Sequence, residues 1–324
     1  MTSTSIPPST SRPDDDTHLP VMLEAMVDGV ALRADGVYVD CTFGRGGHTR
    51  ELLTRLNDAG RVLAIDRDPR AVLCARELER SDSRLSVSQR CFGLLGETVR
   101  EHGAMGKVTG VMMDLGVSSP MLDDASRGFS FSADGPLDMR MDPGTNPSAA
   151  EWLAGAGESE IARVLEAYGE ERQARRIARR IVETRARAPL STTGELARLV
   201  CSTIGRSGDK HPATRTFQAI RMVVNRELEE LDAALAQVPD VLAVGGRLAV
   251  LSFHSLEDRA VKRRIAGQRA SVPRDLPLTE AQIAASRPLA RLRKVGGARK
   301  PDAEECKRNP RARSVRLRIA EKVC

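Results

Sequence analysis

Residues 37–48 read Val-Tyr-Val-Asp-Cys-Thr-Phe-Gly-Arg-Gly-Gly-His, and a second apolar run, Arg61-Val-Leu-Ala-Ile-Asp, ends at Asp66. The first run is β-prone through Val37, Tyr38 and Val39, stops at Asp40, and passes at once into Gly44, Gly46 and Gly47. Glycines at a strand end let the backbone turn tightly and approach a ligand that a Cβ would exclude. An acid at the tip of the second strand of a βαβ unit is placed to bind ribose hydroxyls, which assigns that role to Asp66. The two strand ends together predict an adenosine-containing cofactor.

The glycine spacing narrows the choice. A dinucleotide fingerprint needs a third glycine where helix and strand pack closely, and Gly44-Arg-Gly-Gly-His-Thr49 puts threonine there. The run from Asp40 to Gly46 instead fits D-x-x-x-G-x-G, the pattern of S-adenosylmethionine (SAM) methyltransferases. SAM carries an amino acid in place of a pyrophosphate, so Asp40 near the first turn can meet its ammonium group. The plainer alternative is a glycine turn that merely joins strand to helix.

Composition bounds the rest. A length of 324 residues suggests about two domains at ~150 residues each, and 41% apolar residues can build a real core. No window approaches the roughly 18 uninterrupted apolar residues that span a bilayer, so no membrane partner is expected. Residues 1–17, rich in Ser, Thr, Pro and Asp, read as a disordered tail and not as a signal peptide. Six cysteines without a C-x-x-C pair point to reduced thiols in a cytoplasmic protein. The histidines lack ligand spacing, so no metal is expected.

Net charge is +6, but residues 259–324 hold 19 Lys/Arg against 6 Asp/Glu while the rest of the chain is acidic. A basic segment on an acidic body is the footprint of phosphate contacts, and a solvated basic surface is the alternative. Nine aromatic residues make a base-stacking platform for single strands a poor expectation.

Along the chain, strands are expected at 37–41, 61–66, 85–89 and 108–114 with amphipathic helices between them, which implies a parallel sheet covered on both faces. Residues 120–147 form a Gly-, Pro-, Asp- and Met-rich loop too long for an ordinary connection. Residues 148–207 read as helical, and within them 172–187 is a basic helix carrying Arg172, Arg175, Arg176, Arg179 and Arg180. One long helix is expected from Ala213 to Ala236, a strand at 245–253, an irregular basic excursion at 267–301, and a last, antiparallel strand at 314–319. The domains expected are a disordered tail (1–17), a discontinuous α/β domain (18–119 and 208–324) and an inserted loop and helical domain (120–207). Oligomeric state is not legible, and a homodimer stays open.

Ligands of open α/β sheets bind beyond the carboxyl ends of the strands, so three strand ends belong together: Asp40 to His48, Asp114 to Pro120, and Ser252 to Asp258. Asp114-Leu-Gly-Val-Ser-Ser-Pro120 follows an apolar strand, and amino-group methyltransferases carry an acid or Ser/Asn followed by prolines there. An exocyclic amine such as cytosine N4 has its lone pair delocalised into the ring. Acceptors that hold its N–H groups turn that lone pair towards the methyl carbon. Asp114, or backbone carbonyls near Ser118, Ser119 and Pro120, is the expected acceptor, the alternative being a carboxylate that caps the next helix. His254 is expected to face the cleft, or else to bond a turn. His18 is a further candidate to cover the cofactor.

The motifs Thr42-Phe-Gly-Arg-Gly-Gly-His48, Ala64-Ile-Asp-Arg-Asp-Pro69, Asp114-Leu-Gly-Val-Ser-Ser-Pro120, Arg127-Gly-Phe-Ser-Phe131, Gly135-Pro-Leu-Asp-Met-Arg-Met-Asp142, His211-Pro-Ala-Thr-Arg-Thr-Phe-Gln218, Ser252-Phe-His-Ser-Leu-Glu-Asp258 and Asn309-Pro-Arg-Ala-Arg313 occur in this order. Over roughly residues 17–322 the chain resembles the bacterial small-subunit ribosomal RNA methyltransferase H family (RsmH, also called MraW). The resemblance implies a Rossmann-like class I SAM methyltransferase fold with an inserted all-α domain. It implies N4-methylation of a decoding-site cytosine in 16S rRNA within the small ribosomal subunit. Cofactor contacts carried over by motif fall on Gly46, Gly47, His48, Asp66, Phe92 and Asp114. The family usually has Gln after Ser-Ser-Pro and this chain has Met121, whose thioether cannot donate as an amide does. RNA contacts are expected from Arg175, Arg176, Arg179 and Arg180 and from Arg311 and Arg313.

Four rival readings divide on particular residues. A DNA amino-methyltransferase would share the cofactor site. A non-catalytic RNA-binding or assembly factor would not need Asp40, Gly44, Gly46, Asp66 and Asp114 intact. A cytosine deaminase needs H-x-E and P-C-x-x-C for zinc, which the sequence lacks, and a nicotinamide oxidoreductase is disfavoured by Thr49.

Overall fold

The computed structural model describes residues 20–205, 211–267 and 291–324. The expected tail, His18 and most of the expected excursion at 267–301 lie outside the described residues. Seven strands form one sheet among those described: β1 (Val37–Asp40), β2 (Arg61–Asp66), β3 (Leu85–Gln89), β4 (Val108–Asp114), β5 (Leu242–Ser252), β6 (Leu292–Lys294) and β7 (Arg316–Lys322), in the order β3-β2-β1-β4-β5-β7-β6. The strands β1 to β5 are parallel, and β7 runs antiparallel to both β5 and β6. This is the expected class I methyltransferase sheet, mostly parallel with an antiparallel last strand.

The helices described are α1 (Leu23–Gly29), α2 (Gly47–Arg55), α3 (Pro69–Ser81), α4 (Leu95–Glu101), α5 (Ser119–Asp123), α6 (Ala149–Gly155), α7 (Glu158–Gly169), α8 (Ala174–Arg185), α9 (Thr193–Ile204), α10 (Thr214–Val224), α11 (Glu227–Val241), α12 (Ser255–Ile265) and α13 (Ala303–Arg308). Alternate strand residues serve two cores. Val39, Ile65, Val111 and Val250 pack with Leu95, Leu231 and Val261 of α4, α11 and α12. Tyr38, Val62, Met112 and Leu251 pack with Met26, Leu52 and Val72 of α1, α2 and α3. A strand buried on both faces has no polar side to show, which is why these runs are apolar throughout.

A third core is built from the insertion. Met121, Leu137, Met139, Leu153, Ile161, Ile177, Leu196, Phe217 and Ile220 are buried together there. Local signals start its helices: Ser148 with Glu151 and Thr192 with Glu195 form reciprocal capping boxes at α6 and α9.

Two expectations fail. The helix expected from Ala213 to Ala236 is two helices, broken at Asn225 and at Arg226, whose φ is 52°. Its apolar stripe is continuous in sequence yet serves two cores, Phe217, Ile220 and Val224 in the insertion and Leu231 and Leu235 against the sheet. We accordingly propose that the insertion ends at Asn225 and not at residue 207. The second failure is β6, which lies inside the stretch expected to be irregular. Three residues are too few for an alternation to show, and Leu292–Lys294 form a strand because β7 offers an open edge.

Candidate active site

The strand order reverses between β1 and β4, which opens a crevice at their carboxyl ends. A cavity of about 650 Å³ lies there, lined by the glycine turn, the tips of β2 and β4, the turn after β3, the first turn of α11 and Arg311. Of the residues expected in the site, Gly44, Gly47, His48, Asp66, Phe92, Asp114, Ser118, Ser119, Pro120, Met121 and Arg311 line it.

The glycine turn is shaped by sterics. Gly44 and Gly46 have φ of 56° and 77°, a region that L side chains rarely adopt. A Cβ on Gly46 would meet the Phe43 ring, and one on Gly47 would meet Pro20. Gly46 itself does not line the cavity. It sets the left-handed N-cap of α2 and so aims the helix N-terminus and Gly47 at the cleft.

Asp40 is a correction. It is 2% exposed and does not reach the cavity wall. One of its oxygens accepts from the Thr49 hydroxyl at 2.7 Å and the other from Thr42 N at 3.1 Å. The threonine that breaks the dinucleotide fingerprint is therefore the partner of Asp40, and the pair staples the turn instead of meeting a ligand.

Asp66 stands where expected and does more than expected. Its Oδ2 accepts from Gly44 N at 2.8 Å and its Oδ1 from Asp68 N at 2.9 Å, so the acid holds the glycine turn as well as facing the cavity. Burial pushes its carboxyl up to about 6 against these two hydrogen bonds.

Asp114 lies across the crevice. Its backbone N–H donates to Thr42 Oγ1 at 2.7 Å, which ties the tip of β4 to the glycine turn. Its Oδ1 is buried and without a hydrogen-bond partner among the described residues. Its Oδ2 lies 3.9 Å from His48 Nδ1. Burial pushes the Asp114 carboxyl up to about 6; the nearby His48 opposes that, while Asp40 and Glu257 add to it. His48 Nε2 is 3.3 Å from the Val21 carbonyl. A carbonyl only accepts, so Nε2 bears a hydrogen in this contact, and the ring is held with Nδ1 towards Asp114.

His254 is the second correction. It does not line the cavity; it caps α12, with Nε2 2.9 Å from Glu257 Oε1, while Glu257 Oε2 accepts from Phe253 N at 2.8 Å. Glu257 reaches the cavity in its place. Burial pushes the Glu257 carboxyl up, but His254 and Arg221 outweigh it and hold the group below the usual range. Glu227, His254 and Glu257 bring possible metal-ligand atoms within 4.8 Å of one another. The Arg221 guanidinium, bidentate to Glu227 at 2.7 Å, is the cation already placed there.

Sequence reasoning missed Arg67, Met141, Glu227, Glu230, Phe253 and Asn309, which also line the cavity. The only signal for the two glutamates was their i, i+3 spacing with Leu231 beside them, and an amphipathic surface helix shows the same pattern. The arginines assigned to RNA divide. Arg311 sits at the cavity mouth, donating to Ser119 Oγ at 2.7 Å and lying 3.2 Å from Asp123 Oδ1. Arg313 is exposed nearby, and Arg175, Arg176, Arg179 and Arg180 are exposed on α8 away from the cavity.

Three features fit SAM: an acid at the second strand tip for a ribose, an aromatic, Phe92, after β3 for an adenine, and a buried carboxylate oxygen, without a partner among the described residues, for an ammonium or amine. No helix among the described residues is long and apolar enough to cross a membrane. Among solved structures, the chain is similar to an rRNA methylase from Streptococcus thermophilus at 11% identity, covering 93% of this chain and 94% of that one, with a TM-score of 0.40. It is also similar to a SAM-dependent methyltransferase from Aquifex aeolicus at 10% identity, covering 94% and 90%, with a TM-score of 0.38. Identities this low say nothing of substrate. Residues 15–323 match the MraW methylase family, and the chain belongs to that family.

Proposed function

We propose that this methylase transfers the methyl group of SAM to the N4 amino group of a decoding-site cytosine in 16S rRNA, within the small ribosomal subunit. The observation that carries the reading is the buried Oδ1 of Asp114, without a hydrogen-bond partner among the described residues, at the crevice between the glycine turn and Ser118–Pro120. An unpaired buried oxygen costs stability, and a ligand N–H in the cavity satisfies it.

SAM supplies an activated methyl on a sulfonium centre. Asp66 would hold the ribose hydroxyls, and the N-terminus of α2 with Asp114 and His48 would hold the amino-acid end. On the other side, Asp114 Oδ1 or the backbone near Ser118 and Pro120 would accept from the cytosine amine and orient its lone pair. Transfer forms the N–CH3 bond as the S–CH3 bond breaks and leaves the nitrogen one proton in excess. Asp114, with its carboxyl raised to about 6, is poised to take that proton and release it to water. Positioning supplies most of the acceleration in such an in-line displacement.

Arg311 at the cavity mouth and the arginines of α8 are the proposed grips on the rRNA backbone. A ribosomal substrate would place the protein in the cytoplasm. The test combines labelled SAM, purified protein and small subunits from cells lacking this activity, followed by nucleoside analysis. Label recovered as N4-methylcytidine in 16S rRNA supports the reading. Tight SAM binding without transfer to that RNA overturns the substrate and leaves the cofactor.

A further inference from the structure

The turn after β3, Arg90-Cys-Phe-Gly93, contains no carboxylate, so nothing in it can accept a hydrogen bond from the exocyclic amine of an adenine lying on Phe92 except its backbone. Two side chains from elsewhere, each with a polar group lacking a partner among the described residues, line the same cavity. Glu230, in the first turn of α11, lines the cavity, and its carboxylate makes no hydrogen bond or ion pair among the described residues. Its carboxylate lies so close over Gly93 that any Cβ there would collide with Oε2. Arg67, directly after the ribose acid, also lines the cavity. Its Nη1 donates to the Asn225 carbonyl at 2.7 Å, while its Nε is buried and has no partner among the described residues.

The registration of these groups is built in. Gln237, seven residues after Glu230 and so on the same face of α11, accepts from Gly96 N at 2.7 Å and donates to the Gly93 carbonyl at 2.5 Å. That clamp fixes α11 against the turn after β3 and holds Glu230 beside Phe92. Burial pushes the Cys91 thiol up, with Arg67 opposing and Glu230 adding, so both charges act on one spot in that turn. An acceptor and a donor, each without a partner among the described residues and both lining the cavity that Phe92 lines, match adenine and not hypoxanthine. Adenine presents an amine donor at N6 and an acceptor at N1, and replacing the amine by a carbonyl reverses both.

We propose that Glu230 and Arg67 read the Watson–Crick edge of the cofactor's adenine, Glu230 accepting from N6 and Arg67 Nε donating to N1. The assignment rests on the SAM reading of the cavity and adds the two residues that make it selective for the base.

The experiment compares calorimetric binding of S-adenosylhomocysteine and S-inosylhomocysteine to the full chain. The wild-type protein should prefer the adenosyl compound at least about tenfold, since a site built to hydrogen-bond a group rejects the analogue that reverses it. In Glu230→Gln the amide can turn to donate to the inosyl carbonyl. That variant should bind the inosyl compound more tightly than wild type and shrink the preference to about threefold or less. A gain of affinity does not come from damaged folding. Arg67→Met should also shrink the ratio, by removing the donor that faces the inosyl N1–H. An unchanged ratio in Glu230→Gln, with the adenosyl compound still bound, overturns the assignment and leaves the SAM reading standing. Wild-type protein that binds neither compound overturns both.

Discussion

Asn225 Nδ2 donates to the Met139 carbonyl at 2.7 Å. The bond ties the break between α10 and α11 to the loop that closes the insertion's core over the cavity. The same side chain accepts from Met141 N at 2.8 Å and donates to the Arg221 carbonyl at 2.9 Å, so a 1%-exposed amide satisfies three backbone groups. Met139 has a φ of 62°, a strained conformation for a side chain of its size that the neighbouring contacts must hold in place. Asn225→Ala leaves the Met139 carbonyl and the Met141 N–H unpaired in the interior. It should cost about 2–4 kcal/mol of stability and lower turnover more than SAM affinity, because Met141 and not the ribose site is displaced. Denaturant unfolding with steady-state kinetics checks this, and an unchanged midpoint would refute it.

Arg127 and Asp68 form a buried ion pair at 3.2 Å, 7% and 4% exposed. Arg127 also donates to the Met141 carbonyl at 2.9 Å. Removing one partner of such a pair strands the other charge, whereas removing both is far milder. Arg127→Met should destabilise by about 3 kcal/mol or more, and Arg127→Met with Asp68→Asn by less. A double-mutant cycle with no coupling energy would show that loop and strand tip stand independently.

Asp114 links function to pH. Its folded-state carboxyl lies near 6, above its unfolded value. A raised carboxylate contributes stability that is lost as pH climbs towards 6, because the ionised form is disfavoured in the folded cavity. The ligand-free protein should therefore be less stable at pH 7.5 than its Asp114→Asn variant, with the difference fading towards pH 5. The same variant should lose turnover by about 10²-fold or more. Thermal melts at the two pH values and a transfer assay decide it. Turnover equal to wild type would remove Asp114 from the mechanism.

Asp66 adds a binding profile. Its carboxyl is raised to about 6 by burial, and the ionised form is the better acceptor for ribose hydroxyls. SAM affinity should fall as pH drops from 7.5 to 5 and level off above about 7. A flat profile by calorimetry would mean that neither acid titrates in this range.

Met121 is 6% exposed and lines the cavity, at the position where the family resemblance implies an amide. Met121→Gln should tighten SAM binding by about threefold to tenfold if the amide reaches the cofactor, a gain on the scale of one hydrogen bond. Weaker binding would show that the position needs the thioether's packing.

Neutralising Arg175, Arg176, Arg179 and Arg180 should weaken binding to the ribosomal particle and flatten its salt dependence, since each phosphate contact contributes a little under one unit of slope. Arg311→Ala should cost turnover more than slope, because Arg311 stands at the cavity mouth on Ser119. An unaltered slope in the first variant would make α8 a bystander.

The parallel strands of the sheet, the glycine turn, Asp66 and Asp114 at strand tips, and the helical insertion were all legible in the order of residues alone. These features are local: a strand buried on both faces must be apolar along its length, and a backbone with positive φ favours glycine. What depends on neighbours distant in the chain emerged only on folding. Asp40 points into a staple because Thr49 is there to meet it, and His254 turns to Glu257 instead of the cavity. The stripe from Phe217 to Leu235 breaks at Asn225 because two cores compete for it and a buried amide finds three partners at the seam. Arg67 and Glu230 line one cavity only because the end of β2 and the start of α11, more than 160 residues apart in the chain, both border it. No local pattern records such a convergence, since each residue alone reads as an ordinary surface charge.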